Sequence, residues 1–177
     1  IKTNFMRGAY MNFEAQLLNK RILIVDDDVS LSKSIKEVLV SRGFKNISNA
    51  YSISEGIDIF SISKIDLIIL DVMLPDGEGY LLAQYIRETS DIPILFLTAK
   101  NNPDDEVKGL DSGGDDFVTK PFLPKTLIYR IIALLRRAYK GESELITLTS
   151  CIIDLNNASV KKEEQHLSLT PTEIQIL

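Results

Sequence analysis

ILIVDDD, residues 22–28, joins four apolar residues directly to three acids. A strand with one face in water alternates apolar and polar residues, so an unbroken apolar run of this length reads as a strand buried on both faces, as at the centre of a parallel sheet. The signature recurs twice: LIIL at 67–70 runs into Asp71, and ILFL at 94–97 runs into Thr98. With weaker candidates added, the sequence predicts strands at Arg21–Val25, Ile47–Tyr51, Asp66–Leu70, Pro93–Leu97 and Phe117–Thr119. The first, third and fourth of these should be central.

Between them lie segments of helical period. Val29–Arg42 places Leu31, Ile35, Val38 and Leu39 on one stripe and stops at Gly43, a residue suited to ending a helix. Ser54–Phe60, Gly79–Glu88, Asp104–Asp111 and Lys125–Tyr139 supply the other helices. Strands alternating with helices over residues 21–140 predict an α/β fold, a doubly wound five-stranded parallel sheet. Its ligand site should lie at the carboxyl ends of the strands, where strand order reverses.

After Tyr139 the pattern changes. Leu145–Thr149, Cys151–Leu155, Ser159–Lys162 and His166–Leu169 are short strands with no helix between them, and Asn156-Asn157 is a hairpin turn. Thr170-Pro171-Thr172-Glu173 carries a cap, a proline and an acid in the order that opens a helix. This is the start of a second, partial antiparallel domain at 146–177, reached through a linker at 141–145. Residues 1–20 show no clear period and read as an N-terminal extension or leader, with Met11 a candidate natural start.

At 45% hydrophobic and 25% charged the chain is globular, which excludes disordered and collagenous classes. No apolar run approaches the roughly 18 residues that span a bilayer, and the first residues lack the apolar core of a secretion signal. A cytoplasmic protein without a membrane partner is expected. Cys151 is the only cysteine, so an internal disulfide or thiolate metal cluster is excluded and a small buried strand residue is the simpler reading. The net charge is -5, and the segment after Gly141 is itself acidic, so there is no basic nucleic-acid footprint.

Asp26, Asp27 and Asp28 follow one central strand and Asp71 follows another. If those strands are neighbours, the carboxylates converge, and like charges that close are tolerated around a cation. Mg²⁺ suits such a site, since it is a hard ion that takes one or two carboxylates plus phosphate oxygens. Asp28 reads equally well as a plain helix cap, but capping leaves Asp71 unexplained. Thr98 ends the fourth strand and Lys120 the fifth. A carboxylate nucleophile taking a phosphoryl group needs a metal, a cationic side chain and a hydroxyl donor around the phosphoryl oxygens. Asp71, Asp26 with Asp27, Lys120 and Thr98 make up that set.

In ILIVDDD, DLIILDVMLPDGEG, PILFLTAK and GGDDFVTKPF, residues 21–140 resemble the receiver domains of two-component response regulators, of flavodoxin-like strand order 2-1-3-4-5. The resemblance implies that Asp71 is the phosphoacceptor, served by a sensor histidine kinase. It implies that Asp26, Asp27, Asp71 and the Met73 backbone carbonyl hold Mg²⁺, that Lys120 pairs with the phosphate, and that the Lys120-Pro121 bond is cis. Thr98 would move toward the phosphoryl group and Phe117 would turn inward with it. Met73 and Lys100 would flank the phosphate and affect its lifetime. Such a protein catalyses its own phosphorylation and dephosphorylation without being an enzyme in the turnover sense.

The tail, with LSLTPTEIQIL at 167–177, resembles the opening of the winged-helix domain of OmpR/PhoB-type regulators. The reading helix of such a domain is not in this chain. No DNA-binding residue is therefore assigned here, although promoter DNA is the expected partner of the full-length protein. The resemblance also implies a homodimer on phosphorylation, built on the fourth helix, fifth strand and fifth helix. Asp116 and Arg130 match one charge pair of that face and Arg137 the basic member of another. Glu106 and Thr126 depart from the family pattern, so one pair is missing, and a plain solvated face is the alternative.

Two other functions draw on the same residues. A haloacid dehalogenase-type phosphatase would use Asp26 as nucleophile with Asp28, Thr98 and Lys120, but it gives Asp71 no role and expects its lysine ahead of the last acids, whereas Asp115 and Asp116 precede Lys120. A pseudo-receiver would keep the fold as an interaction module without phosphorylation.

Overall fold

The structure is a computed structural model. It describes residues 16–99 and 113–139 in full, together with the backbone of residues 145–147, 152–154, 159–162 and 165–168. The helix expected at Asp104–Asp111, Lys100, Glu106, the Cys151 side chain, the Asn156-Asn157 turn and the helix start at Thr170–Glu173 lie outside the described residues, as does the leader up to residue 15.

Leu17–Ala138 forms one compact unit. Its strands are β1 (Arg21–Val25), β2 (Asn46–Ala50), β3 (Leu67–Asp71), the two-residue β4 (Met73–Leu74) and β5 (Gly77–Glu78), β6 (Ile94–Ala99) and β7 (Asp116–Lys120). Its helices are α1 (Val29–Ser41), α2 (Ile53–Ile62), α3 (Gly79–Arg87) and α4 (Pro124–Ala138). The main sheet has the order β2-β1-β3-β6-β7, with every pair parallel. That is the expected 2-1-3-4-5 order, and element ends differ from the sequence reading by one or two residues.

Burial follows from the composition of the strands. β3 is buried along its whole length, and β1 and β6 are buried apart from one terminal residue each, whereas β2 and β7 at the edges are partly open. Successive side chains of a strand point to opposite faces. Leu23, Val25, Ile68, Leu70, Ile94 and Phe96 join Leu82, Ala83 and Ile86 of α3 and Ile53 of α2 in one core cluster. The intervening Ile22, Ile24, Leu67, Ile69, Leu95 and Leu97 are also fully buried and form the other face. Each such side chain contributes about 1.5–3 kcal/mol of transfer free energy, which is why the sheet's centre sets the fold and its edges do not.

Helix ends are fixed locally. The Asp28 carboxylate accepts from the Ser30 and Leu31 amides at the start of α1, so the plain capping role holds for this acid. At the other end Gly43 stands at φ 104°, its N–H donates to Val40 O, and the Phe44 N–H donates to Leu39 O. This paired closure, with Phe44 and Leu39 both buried, is the glycine-terminated helix stop.

Two features were not anticipated. Residues 16–18 form a helical turn before β1, and Leu17 is only 3% exposed, so the compact unit begins before Arg21. Residues 73–78 form a small antiparallel hairpin, with Met73 opposite Glu78 and Leu74 opposite Gly77, directly after Asp71.

Beyond the first unit, β8 (Leu145–Thr147), β9 (Ile152–Asp154), β10 (Ser159–Lys162) and β11 (Gln165–Ser168) pair antiparallel in sequence order as a four-stranded meander. Among the described residues no helix is long and apolar enough to cross a membrane.

Candidate functional site

Parallel register gathers the strand ends. Val25 is level with Leu70, so Asp26 and Asp71 leave adjacent strands side by side. Asp71 is level with Leu97, which puts Thr98 one residue further along on the next strand, and Ala99 is level with Lys120 on the strand after that. Four residues far apart in sequence thus reach one edge of the sheet, at the point where chain order turns from β1 toward β2 on one side and β3 on the other.

The contacts are close. Lys120 Nζ donates to Asp71 Oδ2 at 2.6 Å and to Asp26 Oδ2 at 2.8 Å. Asp26 is completely buried, Asp71 and Thr98 nearly so, and Asp27 is exposed. The Asp28 amide donates to Asp26 Oδ1 at 2.9 Å and the Met73 amide to Asp71 Oδ1 at 3.3 Å. Each oxygen of Asp26 and of Asp71 therefore accepts a hydrogen bond, the two Oδ2 atoms sharing Lys120. The Lys120-Pro121 bond is cis.

One carboxylate oxygen from each of Asp26, Asp27 and Asp71 lies within 4.8 Å of the others. Among the described residues three acids share a single lysine here, leaving an uncompensated negative charge at a site whose acidic ligands are all oxygen donors. That donor set fits a hard divalent cation. The electrostatics agree. Burial pushes the Asp26 carboxyl above the usual range and the Asp71 charge adds to this, while the hydrogen bond and charge of Lys120 and the Asp28 amide oppose it without cancelling it. Burial also works against the Lys120 ammonium, but its bonds to Asp26 and Asp71 and their charges outweigh burial and hold its pKa above that of an ordinary lysine.

Gly79 belongs to the site through backbone packing. A Cβ at this position would lie 2.1 Å from the Asp71 carbonyl oxygen, and the Gly79 amide donates to Val72 O at 2.8 Å. Only a glycine lets α3 start so close to the strand that carries Asp71.

Phe117 is half-buried and stacks on Phe96 with ring centroids 5.6 Å apart and planes 11° apart. A groove of about 310 Å³ borders it on the β7 and α4 side, lined by Leu123, Thr126 and Arg130 among others, away from the carboxylates. Asp116 and Arg130 pair within the chain: Arg130 Nη1 donates to Asp116 Oδ1 at 2.6 Å and Oδ2 at 2.8 Å. Arg137 Nη2 donates to Asp115 O at 3.4 Å.

Sequence reasoning missed Arg87. It donates through Nε to Gly113 O at 3.0 Å, through Nη1 to Ser90 O at 3.1 Å and Ile92 O at 2.8 Å, and through Nη2 to Asp115 Oδ2 at 2.8 Å. Asp115 Oδ2 also accepts from the Ile94 amide at 2.9 Å. The clamp ties the end of α3 to the starts of β6 and β7, at the opposite edge of the sheet from Asp71. No residue pattern marks it, because three of the four acceptors on Arg87 are backbone carbonyls.

A doubly wound parallel sheet with three acids, a lysine and a threonine at its carboxyl edge defines a class of α/β signalling domain. Residues 22–132 match the family described as "Response regulator receiver domain", and the chain belongs to that family, the receiver of two-component response regulators. It is 36% identical over 156 residues to the transcriptional regulatory protein AfsQ1 of Streptomyces coelicolor, covering 88% of this chain and 69% of that one. It is 37% identical to the DNA-binding response regulator MtrA of Mycobacterium leprae, covering 90% and 71%. A crystal structure of a two-component response regulator from Clostridium difficile superposes with a TM-score of 0.64 at 35% identity, covering 67% of this chain and 98% of that one. Family membership removes the haloacid dehalogenase alternative.

Proposed function

We propose that Asp71 accepts a phosphoryl group from a sensor histidine kinase, and that the chain is the switch of a cytoplasmic transcription regulator. The observation that carries this reading is Lys120 Nζ held between Asp71 and Asp26, beside a third carboxylate within 4.8 Å. In the transfer the N–P bond to the kinase histidine breaks as an O–P bond to an Asp71 carboxylate oxygen forms. Lys120 and the Thr98 hydroxyl neutralise charge on the phosphoryl oxygens. Asp26, Asp27, Asp71 and the Met73 backbone carbonyl are the groups that would hold Mg²⁺, which supplies further charge neutralisation when bound.

Lys120 must exchange part of its contact with Asp71 for the phosphoryl oxygens, and Thr98 must approach the same group from the neighbouring strand. Both movements occur beside Phe117, whose ring stacks on Phe96 next to the β7 and α4 groove. A phosphorylated site thereby favours one of two packings of that face. Asp116, Arg130 and Arg137 are the charged groups it offers to a second copy, giving a homodimer on phosphorylation. Water then cleaves the O–P bond of the Asp71 acyl phosphate, releasing inorganic phosphate and returning the free carboxylate and the first state of the switch.

The domain limits that go with this reading are a receiver at 21–140, a linker at 141–145 and the first part of a winged-helix domain at 146–177. The antiparallel meander of β8 to β11 and the names of the relatives AfsQ1 and MtrA support an output at promoter DNA for the full-length protein.

The test is intact mass after incubation with Mg²⁺ and a small phosphodonor. One added phosphoryl group is expected, lost in Asp71→Ala and kept in Asp28→Ala, since Asp28 only caps α1. An unmodified wild-type protein would make the chain a pseudo-receiver.

A further inference from the structure

The hairpin that follows Asp71 has two residue pairs, Met73 with Glu78 and Leu74 with Gly77, joined by Pro75-Asp76. A ladder this short does not hold its own shape in water. Its base is tied by the Met73 amide to Asp71 Oδ1 and by the Gly79 amide to Val72 O. Its tip is tied elsewhere. Asp76 Oδ1 accepts from the Ile53 amide at 2.8 Å, and Oδ2 accepts from the Ser54 amide at 3.0 Å and the Ser54 hydroxyl at 3.2 Å. Apolar packing adds to this, because Leu74 and Ile53 share the core and a Cβ at Gly77 would stand 3.2 Å from Ile53 Cδ1.

The start of α2 already has a cap of its own: the Ser52 hydroxyl accepts from the Glu55 amide. Asp76 is a second cap, contributed by another part of the chain. The two amides of α2 hold its carboxyl below the usual range, as expected of an anion bonded at a helix start.

We infer that Asp76 is a positioning residue for the phosphoacceptor site: by anchoring the hairpin tip to α2 it holds Met73 where its amide orients Asp71 Oδ1. The inference rests on the phosphoacceptor reading above. Asp71 has two oxygens with different partners, Met73 N–H on Oδ1 and Lys120 on Oδ2. If the tip is released, the base loosens and Oδ1 loses its donor. The carboxylate then turns among several orientations, and a cation or phosphodonor must select the productive one.

The experiment measures Mg²⁺ affinity by titration calorimetry and backbone amide exchange by NMR, in wild type, Asp76→Ala, Asp76→Asn and Asp76→Glu. Outer groups that orient ligands change metal affinity by about tenfold when removed. Asp76→Ala should therefore weaken Mg²⁺ binding by about that factor and speed exchange at Met73. Asp76→Asn keeps one acceptor oxygen for one α2 amide but sets its NH2 against the other, so it should weaken binding by less than Asp76→Ala. Asp76→Glu keeps a carboxylate for α2 but displaces the tip, so it should change both readouts in the direction of Asp76→Ala by a smaller factor, and it serves should Asp76→Ala fail to fold. Faster exchange confined to Ile53 and Ser54, with Met73 exchange and Mg²⁺ affinity unchanged, would make Asp76 a helix cap only and overturn the inference. A wild-type protein that binds no Mg²⁺ overturns the phosphoacceptor reading itself and this inference with it.

Discussion

Lys120 Nζ stands 2.6 Å from Asp71 Oδ2, a contact between the last residue of β7 and the last residue of β3. The same ammonium reaches Asp26, directly after β1, so one cation spans the ends of four strands of the sheet. Replacing Lys120 by Met leaves two buried carboxylates with no cationic partner among the described residues. Removing one partner of a buried pair costs about 3–5 kcal/mol when the remaining charge cannot escape. Asp26, whose carboxyl burial already pushes upward, relieves part of this by taking up a proton, so a loss at or below the lower end of that range is expected. Urea denaturation without divalent cations reads it, and phosphorylation of the variant should be abolished.

Asp26 gives a pH dependence of defined sign. Its folded pKa lies above the unfolded value of 3.8, so the folded protein holds this proton more tightly than the unfolded chain. Stability from this group is therefore present below 3.8 and falls as pH rises through the folded pKa. Asp26→Asn removes that dependence while its side-chain oxygen still accepts from the Asp28 amide. In cation-free buffer at pH 7 the variant should melt higher than wild type, and the difference should vanish toward pH 4. A variant less stable than wild type at both pH values would contradict the uncompensated charge described above.

Mg²⁺ should reverse that ranking. A ligand that binds only the folded state stabilises by about 2.7 kcal/mol at a hundredfold excess over its dissociation constant. Thermal melts with added MgCl₂ should shift wild type upward and leave Asp26→Asn nearly unmoved. Chelator should return wild type to its cation-free midpoint.

Gly79→Ala places a methyl group 2.1 Å from the Asp71 carbonyl oxygen, which is backbone and cannot swing aside. Overpacking costs about 1–3 kcal/mol where side chains can adjust, and more where they cannot. A loss of about 3 kcal/mol or greater is expected in urea, with slower phosphorylation because β3 and α3 must separate.

Arg87→Lys should fail to replace arginine. Four acceptors in fixed positions need a planar fork of donors, and a single ammonium cannot reach them all. Both Arg87→Lys and Arg87→Ala should lose about 2–4 kcal/mol, on the scale of a broken network of charge-assisted hydrogen bonds. Denaturation midpoints compare them.

The parts of the fold that were legible are those written in consecutive residues. ILIV, LIIL and ILFL admit one environment, and the acids, threonine and lysine that end the strands follow from the polarity of a parallel sheet. Asp28 was readable as a cap because its partners are two and three residues away. Asp76 was not, because its partners Ile53 and Ser54 precede it by 23 and 22 residues and only the folded sheet brings the two loops together. The Asp76-Gly77 pair was a turn signal that could have revealed the hairpin. Leu17 lay hidden in a stretch without period, since a single helical turn is too short to show one. Arg87 at a helix end looks like a solvated cation until the carbonyls around it are seen.

Arg130 and Asp116 already satisfy each other within one chain. In the proposed dimer, two chains that met through these residues would exchange partners, and the tally of ion pairs would be the same before and after. Their contribution is then to direction and register. Adhesion has to come from uncharged neighbours such as the exposed Leu123, and raising the ionic strength should scarcely loosen the pair of chains.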